Sequence, residues 1–86
     1  MRVLIPNPLR SYTRDLATVS AQGRTLAEVA ADLDRQFPGM RFRIIDEQGA
    51  IRPHIRFFVN RIATRDLAEP VSEADEMMIV CALSGG

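Results

Sequence analysis

The sequence predicts an α+β domain in which one main helix packs across one mixed β-sheet. Three observations carry this expectation: a capped amphipathic segment at residues 25–39, apolar runs of strand length on both sides of it, and their order along the chain. That order is strand, strand, helix, strand, strand, strand. At 86 residues the chain fits one domain with one modest core.

Arg2 to Ile5 reads as a short strand stopped by Pro6 and Pro8, neither of which can sit in mid-sheet. Asn7-Pro8 signals a loop, because the residue before a proline is pushed out of the helical region. Leu16 to Ser20 alternates and is followed by Gly23, which predicts a second strand and an antiparallel hairpin with the first. Thr25-Leu26-Ala27-Glu28 has capping-box spacing, with Thr25 placed to accept from an early helical N–H and Glu28 to reach back. Leu26, Val29, Ala30, Leu33 and Phe37 then recur at helical spacing and define one apolar face, with Asp32, Asp34 and Arg35 on the other. Pro38-Gly39 ends the helix.

Arg41 to Ile44 alternates polar and apolar, but Ile45 to Gly49 breaks the pattern, so a short strand and an irregular turn both fit. Ile55 to Asn60 is rich in aromatic and β-branched residues and reads as a central strand. Arg61 to Thr64 follows as a short edge strand after a turn around Asn60, and Leu67 to Ser72 as a crossing loop containing Pro70. Met77 to Leu83 is a continuous apolar run expected to be a strand buried on both faces. Residues 1–83 form the expected domain, and Ser84-Gly85-Gly86 a flexible tail.

Composition narrows the function classes. Eleven basic and eleven acidic side chains cancel, so nothing in the charge balance points to nucleic acid or to a membrane surface. No apolar run approaches the ~20 residues that span a bilayer, and the start lacks a charged-then-apolar export signal. One cysteine, Cys81, excludes an internal disulfide and fits a cytoplasmic location, and a single His with a single Cys cannot build a structural zinc site. The chain has no Gly-rich phosphate cradle, so it is not expected to bind ATP.

The chain resembles the MoaD/ThiS family of sulfur carriers, which have a ubiquitin-like β-grasp roll. The resemblance runs over nearly the whole chain. Ile5-Pro6, Leu9-Arg10, Thr13 and Val19-Ser20-Ala21 with Gly23 look like the opening hairpin, and Thr25-Leu26 with Leu33 like the helix. Phe57-Phe58-Val59-Asn60 resembles the central strand, Ala74-Asp75-Glu76 the turn before the last strand, and Ser84-Gly85-Gly86 the terminal diglycine. The family's turn usually begins with glycine where this chain has Ala74. The resemblance implies a mixed four- to five-stranded sheet packed by one main helix, with the first and last strands parallel and adjacent.

It also implies a function. A separate ubiquitin-activating-like enzyme would use ATP to adenylate the carboxylate of Gly86. Attack by sulfide or persulfide would then give a thiocarboxylate for a sulfur-accepting biosynthetic enzyme. Gly85 and Ser84 would give access, and Gly85 and Gly86, having no Cβ, could enter a narrow channel. The chain itself would hold no catalytic residue, metal or cofactor. The Leu9-Arg10 and Arg52-to-Asn60 regions look closest to carriers of cysteine-type biosynthesis, whose acceptor is cysteine-synthase-like. The runner-up is the small subunit of molybdopterin synthase, partnered by its large subunit, and a protein modifier joined through Gly86 is the rival class.

Other residues carry two readings each. Cys81 reads as a relay thiol or, more simply, as a small apolar residue on the last strand. His54 has no triad partner nearby and reads as surface. Phe58, Met78 and Arg56 are candidates for a partner surface on the open sheet face. Alternation separates Phe57 and Val59 from Phe58 without deciding which face is inner. Arg41, Arg43, Arg52 and Arg56 form a basic cluster. Asp66, Glu69, Glu73, Asp75 and Glu76 form an acidic stretch expected near the tail. Both read by default as solvated surface.

Overall fold

The capped segment becomes the helix against which the sheet is laid. A computed structural model of the chain describes residues 1–82, in which helix α1 spans Leu26–Gln36. The Thr25 hydroxyl accepts from the Glu28 backbone N–H at 3.2 Å, satisfying one donor that the first helical turn leaves unpaired. The reciprocal half of the capping box is displaced by one residue, because the Glu28 carboxylate accepts from the N–H of Arg24 at 3.0 Å. Leu26, Val29, Ala30, Leu33 and Phe37 are all buried, as their spacing predicts.

The segment after Gly39 is neither strand nor irregular turn. It is a short second helix, α2, spanning Met40–Ile44. Met40 and Ile44 stand four residues apart and are both fully buried, a helical spacing that the shorter-range alternation of Arg41 to Ile44 conceals. Gly39 has φ of +95°, a conformation costly for residues with a Cβ. The Asp34 carboxylate accepts from the N–H groups of Gly39 and Arg41, both at 3.1 Å, and so ties the end of α1 to the start of α2.

Five strands form one mixed sheet: β1 Arg2–Leu4, β2 Thr18–Ser20, β3 Ile55–Val59, β4 Ile62–Thr64 and β5 Glu76–Cys81. Their order is β2-β1-β5-β3-β4. β1 and β5 run parallel, with Val3 opposite Met77, and the other pairs are antiparallel. β2 starts at Thr18 instead of Leu16. Arg14 and Asp15 both have positive φ, and the buried Thr13 hydroxyl bonds the carbonyl of Leu16 at 2.9 Å, so the chain is still turning there.

β5 is not buried on both faces. Met77 and Ile79 lie in the core, while Met78 and Val80 are half-exposed on the opposite face. The reason is architectural: the helices cover one face of the sheet, and the other has no layer over it. The same register settles the faces of β3. Ile55 and Phe57 point into the core with Val3, Val19, Met77 and Ile79, and Phe58 points outward. Leu83 lies outside the described residues.

The β3–β4 connection is a two-residue turn, Asn60-Arg61, with φ of +50° and +72°. Two successive positive φ values match the hairpin turn whose twist suits the flanking strands, and Asn tolerates that region better than most residues. Asn60 then holds the start of β5: its amide donates to Asp75 at 2.8 Å, and its side-chain carbonyl accepts from the Glu76 N–H at 2.9 Å. The other Asp75 oxygen accepts from the Ser72 N–H at 2.8 Å. Ala74 is not among the positive-φ residues, so this turn closes without the glycine usual at that place.

Asn60→Ala should lower stability by ~1–3 kcal/mol in urea unfolding, because it loses both bonds and strains the turn. Asn60→Gly, which removes only the bonds, should lose less. The Asn60 amide, followed by the Ser72 N–H, holds the Asp75 carboxyl below the usual carboxylate range. Its folded pKa is depressed, so its contribution is present above the unfolded value of about 4 and is lost as pH falls through the folded one. An Asp75→Asn variant should therefore show a shallower acid loss of melting temperature than the parent.

Candidate functional site

β5 decides where the tail leaves the domain. It is antiparallel to β3, which places Cys81 opposite Ile55. The next residue, Ala82, donates its N–H to the carbonyl of His54 at 2.7 Å, fastening the chain four residues before Gly86. Ser84, Gly85 and Gly86 lie outside the described residues. The end of β5 is gathered among the Pro8–Leu9 turn, α2 and the start of β3, and these surround a groove of about 680 Å³ that Cys81 and Ala82 help to line.

The acidic stretch is not at this end. Five steps of ~3.3 Å carry the chain about 16 Å from Glu76 to Cys81. Asp75 sits against the Asn60 turn, Glu69 and Asp75 border a shallow cavity with Ile62, and Glu73 borders one with Met1. All three are at the far end of β5, where Glu76 pairs with Arg2 at 3.4 Å. Nearness in sequence misleads here because the intervening segment is fully extended.

The basic cluster, by contrast, gathers at the tail end. Arg43 and Arg52 line the groove. The Arg52 guanidinium lies 4.5 Å from the centre of the Phe42 ring, and its Nε donates to the Phe42 carbonyl at 2.7 Å. Arg43 stands 5.5 Å from the Tyr12 ring. Arg56 projects from β3 on the outer face and donates to the carbonyls of Pro53 and Ile55.

Phe58, Met78 and Arg56 share that outer face. Met78 is directly opposite both Leu4 and Phe58, and Phe58 is opposite Ala63, so one apolar row crosses four strands. Val80, opposite Arg56, extends it toward the tail. Leu4 and Val80 went unrecognised in the sequence reading. Their signal was alternation against Val3 and Met77, legible only once the pairing of β1 with β5 is known.

Cys81 is half-buried and packs against the core. Burial pushes its thiol pKa up, which leaves little of the reactive thiolate at neutral pH. That favours the packing reading of this residue. Among the described residues no group of three His, Cys, Asp or Glu could hold a metal ion, and no helix is long and apolar enough to cross a membrane.

A mixed five-stranded sheet in this order, with one main helix across it, is the ubiquitin-like β-grasp fold. Within that class the chain belongs to the ThiS family, which matches residues 3–86. The sulfur carrier protein CysO of Mycobacterium tuberculosis is 33% identical over 89 residues, covering 98% of this chain and 96% of that one. The crystal structure of Mycobacterium tuberculosis CysO superposes with a TM-score of 0.89 at 31% identity, over 95% of this chain and 98% of that one. A chain of the Amycolatopsis orientalis BexX/CysO complex reaches 0.91 at 30% identity, over 99% and 98%. The small archaeal modifier protein 1 of Methanosarcina acetivorans, at 21% identity and a TM-score of 0.81 over 99% and 94%, shares the fold.

The two adjacent methionines of β5 should separate packing from surface. Met77→Ala empties a core site and should cost ~2–5 kcal/mol in denaturant unfolding. Met78→Ala, on the open face, should cost less than ~1 kcal/mol.

Proposed function

We propose that this chain is a sulfur carrier protein of the cysteine-biosynthesis type, acting in the cytoplasm as a protein-bound sulfur donor and not as an enzyme. The observation that carries the proposal is likeness to CysO over 96% of that protein, with a family match that runs through Gly86. In this reading residues 1–83 are the domain and residues 84–86 the working tail.

The chemistry follows from the electrophilicity of a carboxylate, which is poor because both oxygens share the charge. An oxygen of Gly86 attacks the α-phosphorus of ATP on a separate adenylating enzyme, and pyrophosphate leaves. Sulfide attacks the resulting acyl carbon and AMP leaves; a persulfide instead forms an acyl disulfide, whose S–S bond a second thiol cleaves to free the acyl-bound sulfur. The product is a thiocarboxylate, whose sulfur is nucleophilic and transferable to a cysteine-synthase-like acceptor. ATP belongs to the partner throughout.

The chain's own contribution is delivery. Ala82 is held to His54, so the domain presents the tail from a fixed point. Four residues reach at most ~14 Å beyond that point, enough to enter a neighbouring active site. The missing side chains of Gly85 and Gly86 permit a close backbone approach and attack on the carbonyl from either face.

Intact-mass measurement on the protein recovered from its own cells tests the proposal. One oxygen replaced by sulfur at Gly86 is the expected result. Conjugates to lysines would identify a modifier instead, and an unchanged mass in cells holding the adenylating enzyme would overturn both. Gly86→Ala should slow adenylation at least ~10-fold, since the added methyl crowds the reacting carbonyl, while leaving the melting temperature unchanged.

A further inference from the structure

The groove beside Ala82 has a composition that its neighbours in the fold do not require. Its floor is apolar, formed by Leu9, Cys81 and Ala82, and its rim carries Phe42, Arg43 and Arg52. Phe42 is 54% exposed although it belongs to a helix whose Met40 and Ile44 are fully buried, so core packing does not explain an aromatic there. Arg52 stacks on that ring and is bonded through Nε to its carbonyl, which fixes one guanidinium at the rim while leaving its outer nitrogens directed elsewhere.

Two guanidinium groups line this groove, those of Arg43 and Arg52. Among the described residues Glu47 is the one carboxylate lining the groove. The neighbouring Asp46 carboxylate accepts through one oxygen from the N–H groups of Gln48 at 2.9 Å and Ala50 at 3.0 Å, and Arg52 lies close enough for its charge to act on it. Among the described residues, salt bridges join Arg2 to Glu76 and Arg35 to Asp32, and neither Arg43 nor Arg52 takes part in one. The acidic residues Glu69, Glu73, Asp75 and Glu76 are held away from the groove, toward the other end of β5.

We propose that this groove docks an acidic surface segment of the enzyme that adenylates the tail, with a carboxylate on Arg43 and Arg52 and an apolar side chain against Phe42 and the floor. The inference rests on the proposed function and adds to it the surface that seats the partner. Two features argue for this occupant. A protein that holds the end of the tail comes within ~14 Å of Ala82, which lines the groove with Cys81. Two guanidinium groups line the groove beside Glu47, that of Arg52 held by its bond to the Phe42 carbonyl, and they complement a carboxylate on the partner and would steer its approach. The groove lies on the α2 side of β5, opposite the row of Leu4, Met78 and Phe58, so the tail base is flanked by apolar surface on both sides.

The test uses the full chain and the purified adenylating enzyme from the same genome, read by ATP–pyrophosphate exchange over a range of ionic strength. Arg43→Glu/Arg52→Glu should raise KM for the chain about tenfold with kcat nearly unchanged, and should flatten the rise of KM with salt seen for the parent. Arg24→Glu, a charge reversal at the far end, should leave both values unaltered. Parent-like KM and salt dependence in the double variant would overturn the groove assignment, as would an equal effect of Arg24→Glu. If loss of the Arg52 contacts lowers the melting temperature, Arg43→Glu alone decides: several-fold higher KM at an unchanged melting temperature supports the groove, and parent-like KM refutes it. A parent chain that supports no exchange at all refutes the proposed function itself, and the groove assignment with it.

Discussion

The parallel pairing of β1 with β5 is the constraint from which the rest of the structure follows. It joins the two ends of the described chain, Arg2 to Glu76 and Leu4 to Met78, at the middle of the sheet. A parallel pair needs a long connection that returns to the same edge, and here that connection holds α1, α2 and the β3–β4 hairpin. Closing so long a loop costs chain entropy, and the buried faces of Val3, Met77 and Ile79 against α1 are what offset it. Because the two strands run in the same direction, the loop after β1 and the end of β5 emerge at one end of the sheet. The surroundings of the tail exit are a consequence of that single topological choice.

Local devices then keep the ends of the elements where this pairing needs them. Asn60 forms the tight turn after β3 and also grips the start of β5, so the hairpin and the central strand share one hydrogen-bonded junction. Asp34 and Gly39 do the corresponding work between the helices. Gly23 allows the chain to pass close to α1: a Cβ there would come within 2.6 Å of the Val29 backbone nitrogen. These positions share a logic in which a small or polar residue satisfies backbone groups that no ladder reaches.

The reacting group proposed for this carrier is the carboxylate of a residue without a side chain, and in that reading the domain's contribution is its surfaces. Two such surfaces flank the base of the tail: the apolar row on the open sheet face and the basic, aromatic-rimmed groove beside α2. The acidic residues Glu73, Asp75 and Glu76 stand at the opposite end of β5, where Arg2 and Arg24 accompany them.

Much of this was legible in the sequence because it depends on near neighbours. The cap at Thr25, the apolar stripe of α1, the strand character of Ile55 to Asn60 and the family resemblance are all patterns within short windows or at matched positions. α2 escaped because Met40 and Ile44 mark a helix of barely more than one turn, too short for periodicity to declare itself against the alternation of the residues between them. The inward face of β3, the half-open face of β5, the outer row through Leu4 and the distance of the acidic stretch from the tail were decided only by tertiary structure. Each depends on the register between strands far apart in the chain, and a shift of one residue in that register would exchange the two faces. The sequence by itself thus determined the main helix, the strands that the sheet is built from and what chemistry the diglycine suggests. The pairing of β1 with β5 decided which side chains surround the place where the tail begins.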